Sequence, residues 1–200
     1  MAPRAAPLIL ASKSASRQAL LRNAGVPYEA VAADIDERAV QASSGATEPD
    51  RIAALLARAK AEYVSALRKD SLVLGADQTL SLGNRMFNKP AGRDQAHAQL
   101  RALAGQTHTL HSAIAVLRDG KVLFEHLSAA HMTMRAMSDE DISRYLDAAG
   151  DAVTTSVGCY QLEGLGVRLF DKIDGDHFTI LGLPLLPLLA FLRAEQQLSF

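Results

Sequence analysis

Short apolar runs and helix-period runs are interleaved along this chain of 200 residues, without strict alternation and without an internal repeat. That order constrains the fold more than any other feature. Leu8-Ile9-Leu10-Ala11 reads as a buried strand that runs into a Ser-rich turn, Ser12 to Ser16. A helix carrying Ala19, Leu20 and Leu21 follows, with Gly25 and Pro27 as stop signals. Tyr28 to Ala33 reads as a second strand, Asp34 to Glu37 as an acidic loop and Ser43-Ser44-Gly45 as another loop. Pro49 suits a helix start. Arg51 to Leu67 repeats Ile52, Leu55, Leu56, Ala59, Tyr63 and Leu67 at helical spacing. Leu72 to Ala76 is a short apolar strand ending at Asp77. Gly83-Asn84 and Asp119-Gly120 read as hairpin turns, the first between 80–82 and 85–87, the second between 107–117 and 122–134. Arg93 to Leu103 reads as a second long helix closed by Gly105. Ser138 to Asp141 is the cap and acidic first turn of a helix that ends at Gly150. Val167 to Ile173 reads as a late strand. This mixture predicts one α/β domain over residues 1–200, with a mixed central sheet and flanking helices.

Composition narrows the function classes. The chain is 48% hydrophobic, enough for a real core. Lys plus Arg number 21 and Asp plus Glu 22, for a net charge of -1, so the chain lacks the basic excess that a nucleic-acid backbone requires. The single cysteine, Cys159, permits no intramolecular disulfide and suits a reducing compartment. It reads as a packed thiol rather than a nucleophile, with no His near it in sequence. The stretch after Arg4, Ala5 to Ala11, is broken by Pro7 and followed by Lys13. It reads as a first strand, not a secretory segment. Ile180 to Leu192 is uncharged but too short to span a bilayer and holds Pro184 and Pro187, which leaves a buried terminal helix. The expectation is a cytoplasmic protein with no membrane partner.

Several residues stand out for chemistry. Lys13, Ser14, Ser16 and Arg17 cluster where the first helix begins, where free N–H groups and the helix dipole favour an anion. Serines that merely cap a surface helix would look the same. Asp34, Asp36 and Glu37 suit Mg²⁺ or Mn²⁺, which prefer oxygen ligands; a solvated acidic turn is the plainer alternative. Asp77 stands at the carboxyl end of an apolar strand, a usual place for ligands, or else caps a turn. Lys60 lies at the flank of an apolar helical stripe, where a lysine must snorkel or meet an anion. Lys89 stands in Asn88-Lys89-Pro90, where the proline restricts its backbone. Glu163, next to Gly164, can accept from two neighbouring N–H groups, as on a guanine edge, or be a loop carboxylate. The six histidines show no zinc spacing and read as structural or exposed. No G-x-S-x-G elbow is present.

Taken in order, the stretches LILASKSASRQALL, DIDE, LARAKA, LGADQTL, NKP, LAGQTH, GCYQLEGLGVRLFDKIDGD and ILGLPL resemble the Maf proteins, a family of nucleoside triphosphate pyrophosphatases. The resemblance covers nearly the whole chain. It implies an elongated inosine-triphosphatase-like fold of two lobes with a central cleft, and hydrolysis between the α and β phosphates with a divalent metal. By position it puts the general base on Asp77 and a metal-associated carboxylate on Glu37, beside Asp77. Phosphate binding falls on Ser12, Ser14, Arg17, Lys60 and Lys89. Substrate discrimination falls on Ser16, Gln78 and Glu163. Asp77-Gln78 with Glu163 is similar to the branch acting on 7-methylguanosine triphosphate, rather than the thymidine and uridine triphosphate branch. Two departures stand out: many members carry two arginines after the serine loop, where this chain has Ser16 and Arg17, and the methylguanosine branch often has an aromatic residue at the position of Ser16. The expected function is hydrolysis of a modified or non-standard, guanine-leaning triphosphate to the monophosphate and pyrophosphate, a house-cleaning role. The alternative is a nucleotide-binding regulator of cell division with little catalysis. A homodimer is common in the family.

Overall fold

The structure, a computed structural model, describes residues 7–198; Arg4 and its neighbours in the first apolar stretch lie outside them. In chain order the elements are β1 (Leu8–Leu10), α1 (Ala15–Asn23), β2 (Tyr28–Ala30), α2 (Glu37–Ser44), α3 (Pro49–Leu67), β3 (Val73–Leu82) and β4 (Arg85–Phe87). They continue with α4 (Arg93–Leu103), β5 (Thr107–Arg118), β6 (Lys121–Met134), α5 (Asp139–Ala149), β7 (Phe170–Asp174), α6 (His177–Ile180) and α7 (Leu185–Ala194). The strands form a mixed sheet in the order β2-β1-β3-β5-β6-β7, with β4 on β3. β1 is parallel to β2 and β3, whereas β3–β4 and β6–β7 are antiparallel. The expected mixed α/β architecture is present.

The chain forms two compact units. The first holds the residues up to Asp77, Ser112–Ser128, and the residues from His177 on. In it β1 is covered on both faces. Leu8 and Leu10 pack with Leu20 and Leu21 of α1 and Leu188 and Leu192 of α7. Ile9 and Ala11 pack with Ala61 and Val64 of α3. A strand buried on both sides cannot alternate polar and apolar residues, which is why its sequence is a continuous apolar run. The second unit comprises Gln78–His111 and Ala129–Asp176. There α4 buries Ala96, Leu100 and Leu103, and α5 buries Ile142 and Leu146. The side chains of Ser138 and Asp141 reciprocally cap α5.

Some sequence expectations change. The strand does not end at Asp77: β3 runs through it to Leu82. Asp77, Thr79 and Ser81 recur at period two on one buried face, and the polar stretch from Asp77 to Thr79 disguised the join between the apolar run and the hairpin strand at 80–82. Residues 37–44 form α2, so Glu37, Ser43 and Ser44, expected in loops, are helical; the Asp36 carboxylate caps the first turn and Gly45, at φ 67°, closes the last. The late strand begins only at Phe170, after a 3₁₀ turn at Leu165–Leu169. The C-terminal run splits into α6 and α7 around Gly182, at φ 86°, and Pro184. Among the described residues no helix is long and apolar enough to cross a membrane.

Candidate active site

The first unit brings together most of the charged residues singled out above. Helix α3 lies against β3 at Gly75, where a Cβ would meet the backbone of Ala57 and Ala61. This contact sets Lys60, on α3, opposite Asp77, on β3. The Lys60 Nζ donates to Asp77 Oδ1 at 2.5 Å and pairs with Glu37 Oε1 at 2.8 Å. The Lys60 and Asp77 side chains are only 13% and 10% exposed, against 53% for Glu37, so water screens the inner pair poorly. Burial pushes the Asp77 carboxyl above the ordinary aspartate value, against the opposing pull of Lys60 and Arg17.

Arg17 lies behind this pair. Its Nε donates to the carbonyl of Gly182 at 2.8 Å, and its Nη1 to the carbonyl of Ala76 at 2.8 Å and to Ser12 Oγ at 3.3 Å. The guanidinium thus ties α1 to the residue before Asp77 and to the turn before α7. Burial lowers its proton affinity while Asp77 and Glu37 raise it, and an arginine stays charged in such surroundings. Ser12 Oγ also accepts from the Ser14 N–H at 3.2 Å, and Ser14 Oγ accepts from the Arg17 N–H at 3.5 Å as the cap of α1. Both hydroxyls are acceptors in these bonds, so their own protons can go to an anion. Ser16 is half-buried in the first turn of the same helix, and Lys13 is exposed.

The acidic stretch separates into three roles. Asp36 Oδ1 accepts from the N–H groups of Arg38 and Ala39, each at 3.0 Å, and is spent as a helix cap. Glu37 opens α2 and reaches Lys60. Asp34 is exposed. The remaining sequence candidates lie in the second unit. Gln78 follows Asp77 on β3, Lys89 is exposed after β4, and Glu163 is exposed in the turn before the 3₁₀ segment. The Arg17 anchors carry no sequence signal, because both of its close partners are backbone carbonyls.

The histidines do other work. Buried His108 shares a 2.7 Å hydrogen bond with the Tyr160 hydroxyl, and its Nδ1 has no partner among the described residues. His111 contacts Ser81, His131 contacts Thr109, and His126 contacts Ser128. Cys159 is a free buried thiol whose proton goes to Gln99 at 3.3 Å, and burial pushes its pKa up to about 12. A thiol so held is no nucleophile. Among the described residues no group of three or more His, Cys, Asp or Glu is gathered as a metal cage.

The family model described as Maf-like protein matches residues 7–195. This chain belongs to the Maf family. A relative from Bradyrhizobium diazoefficiens, named nucleoside triphosphate pyrophosphatase, is 65% identical over 193 residues, covering 96% of each chain. Another, from Brucella abortus biovar 1 and named 7-methyl-GTP pyrophosphatase, is 54% identical over 192 residues, covering 94% of this chain and 96% of its own. Among solved structures, a HAM1 protein from Coxiella burnetii shares 14% identity at a TM-score of 0.43, over 64% of this chain and 72% of that one. Family membership therefore rests on the sequence matches.

Proposed function

We propose that this Maf-family chain is a nucleoside triphosphate pyrophosphatase that needs a divalent cation and cleaves the bond between the α and β phosphates. The observation that carries the reading is the buried Asp77 carboxylate held against Lys60, with Glu37 and Arg17 beside it. A protein that only binds a nucleotide has no need of a base there. The names of its relatives agree with this activity.

Glu37 and Asp77 fit a Mg²⁺ or Mn²⁺ ion. Such ions take one or two carboxylates and complete their shell with waters and substrate phosphates, so a larger cage is unnecessary. When bound, the ion would neutralise charge on the phosphate oxygens as the P–O bond breaks. Asp77 accepts the proton of the attacking water, and its burial makes it a stronger base than a solvated aspartate. Ser12, Ser14 and the N–H groups of α1 hold phosphate oxygens. Lys60, Lys89 and the remaining N–H groups of Arg17 offset the charge of the leaving pyrophosphate. Ser16, Gln78 and Glu163 read the base, and the Glu163 carboxylate favours a guanine-type edge. The role that follows is clearance of modified or non-standard triphosphates in the cytoplasm, consistent with a single cysteine.

The test is pyrophosphate release over a panel of normal and modified triphosphates, with Mg²⁺, with Mn²⁺ and with excess chelator. Release is expected with either cation and not with chelator. Full activity in chelator removes the metal from the reading. No pyrophosphate from any triphosphate removes the activity.

A further inference from the structure

We propose that Lys60 is an internal stand-in for the divalent cation, so that cation and triphosphate load onto this chain together rather than in turn. The inference rests on the reading that Glu37 and Asp77 hold the ion. In the structure the Lys60 ammonium occupies the position between those two carboxylates, 2.8 Å from Glu37 Oε1 and 2.5 Å from Asp77 Oδ1. The three groups come from α3, the start of α2 and the middle of β3, and among the described residues no other cation forms an ion pair with either carboxylate. Its side chain is 13% exposed, so the charge sits largely out of water.

A divalent ion bound to a carboxylate oxygen sits about 2.1 Å from it. An ammonium hydrogen-bonded to the same oxygen would then lie only a few ångströms from the ion, with strong like-charge repulsion in a poorly screened place. Lysine and ion therefore compete for Glu37 and Asp77. An incoming triphosphate changes the balance. It brings several negative charges, and the flexible four-carbon stem of Lys60 lets the ammonium swing to a phosphate oxygen and release both carboxylates. The ion alone must displace the ammonium into no partner, whereas the ion with triphosphate gives it one. Binding of the two is then positively coupled. The same ammonium offsets one of the two negative charges and lies against the buried one, Asp77.

The experiment is Mn²⁺ titration without nucleotide, read by the electron paramagnetic resonance of free Mn²⁺. It compares wild type, Lys60→Met, Lys60→Gln, Lys60→Met/Asp77→Asn and Arg58→Met. Removing the ammonium should tighten Mn²⁺ binding roughly tenfold or more in both Lys60 variants. Adding Asp77→Asn should abolish the gain. Arg58→Met deletes a half-exposed cation of the same helix, paired with Glu125, and should change affinity by less than about twofold. The melting temperature of Lys60→Met should also rise more with Mn²⁺ than that of wild type. Unchanged or weaker Mn²⁺ binding in both Lys60 variants overturns the stand-in and leaves the metal reading intact. An equal gain in Arg58→Met also overturns it, because the effect would be general charge. No Mn²⁺ binding in any protein, even with a triphosphate present, overturns both.

Discussion

A Cβ placed on Gly75 would stand 2.8 Å from the amide nitrogen of Ala61 and closer still to the carbonyl oxygen of Ala57. Helix α3 and strand β3 therefore meet backbone to backbone, and Lys60 and Asp77 flank that contact. Gly75→Ala forces the helix outward. The expected cost is about 1–3 kcal/mol of stability, the scale of overpacking a tight interior. Turnover should fall further than stability, since a shift of about 1 Å at a reacting group can cost about a hundredfold. Denaturant midpoints, together with turnover measured where the variant is fully folded, check both. Wild-type values for both would mean that the contact does not set the site.

Asp77→Asn keeps the size of the side chain and leaves Lys60 a carbonyl acceptor, but removes the proton-accepting charge. Turnover should drop at least about a hundredfold, the usual scale for loss of a general base. A circular dichroism spectrum and melting curve close to wild type would show that the loss is chemical. Turnover near wild type assigns the base elsewhere.

The architecture was legible because it depends on apolar period. Leu8 to Leu10, the span of α3 and both hairpin turns appear in the structure where their residues put them, but the buried face of α3 runs through Ile52, Ala53, Leu56, Ala57, Ala61 and Val64, and Tyr63 and Leu67 of the expected stripe are exposed. Legibility failed where polar residues do structural work. Asp77 and Thr79 are buried on one strand face where the sequence reads as the end of one strand before another begins, and the Asp36 cap of α2 reads as one more acidic loop residue. At the site, Lys60 at the edge of an apolar stripe called for either snorkelling or an anionic partner, and only the fold shows that it meets two carboxylates at once. The anchors of Arg17 were invisible, because backbone carbonyls of Ala76 and Gly182 leave no mark in a sequence.

His108 gives this chain a pH-dependent stability separate from its chemistry. Burial lowers its pKa to about 4, from 6.5. The imidazole stays neutral in the fold, while the unfolded chain takes up a proton below 6.5. The unfolded state thus binds more protons between those values, and stability falls as pH drops through that window. The contribution, full above 6.5, declines by about 3 kcal/mol on reaching pH 4. Other titrating groups are shared with a His108→Phe variant, so the difference between the two proteins isolates the histidine. Unfolding free energies at several pH values should show a steeper acid decline in wild type. Parallel curves would mean that His108 takes up its proton as readily in the fold as in the unfolded chain.

Glu163 carries the riskiest expectation. It lies exposed in the turn after Tyr160, and the Brucella relative named for 7-methyl-GTP is 54% identical to this chain. An ionised carboxylate only accepts hydrogen bonds. Guanine presents two neighbouring donors on one edge, whereas uracil and thymine present one donor between two acceptors. Against a pyrimidine the Glu163 charge would face carbonyl oxygens, and each mismatched polar group costs roughly 1–3 kcal/mol. Guanine-type triphosphates should therefore be better substrates than uridine or thymidine triphosphate. Glu163→Gln should narrow the gap, because an amide can donate to a pyrimidine carbonyl. The measurement is the ratio of kcat/KM for the two substrate types in both proteins. If wild type prefers the pyrimidines, or the ratio does not move in Glu163→Gln, the carboxylate does not read the base and its turn is structural.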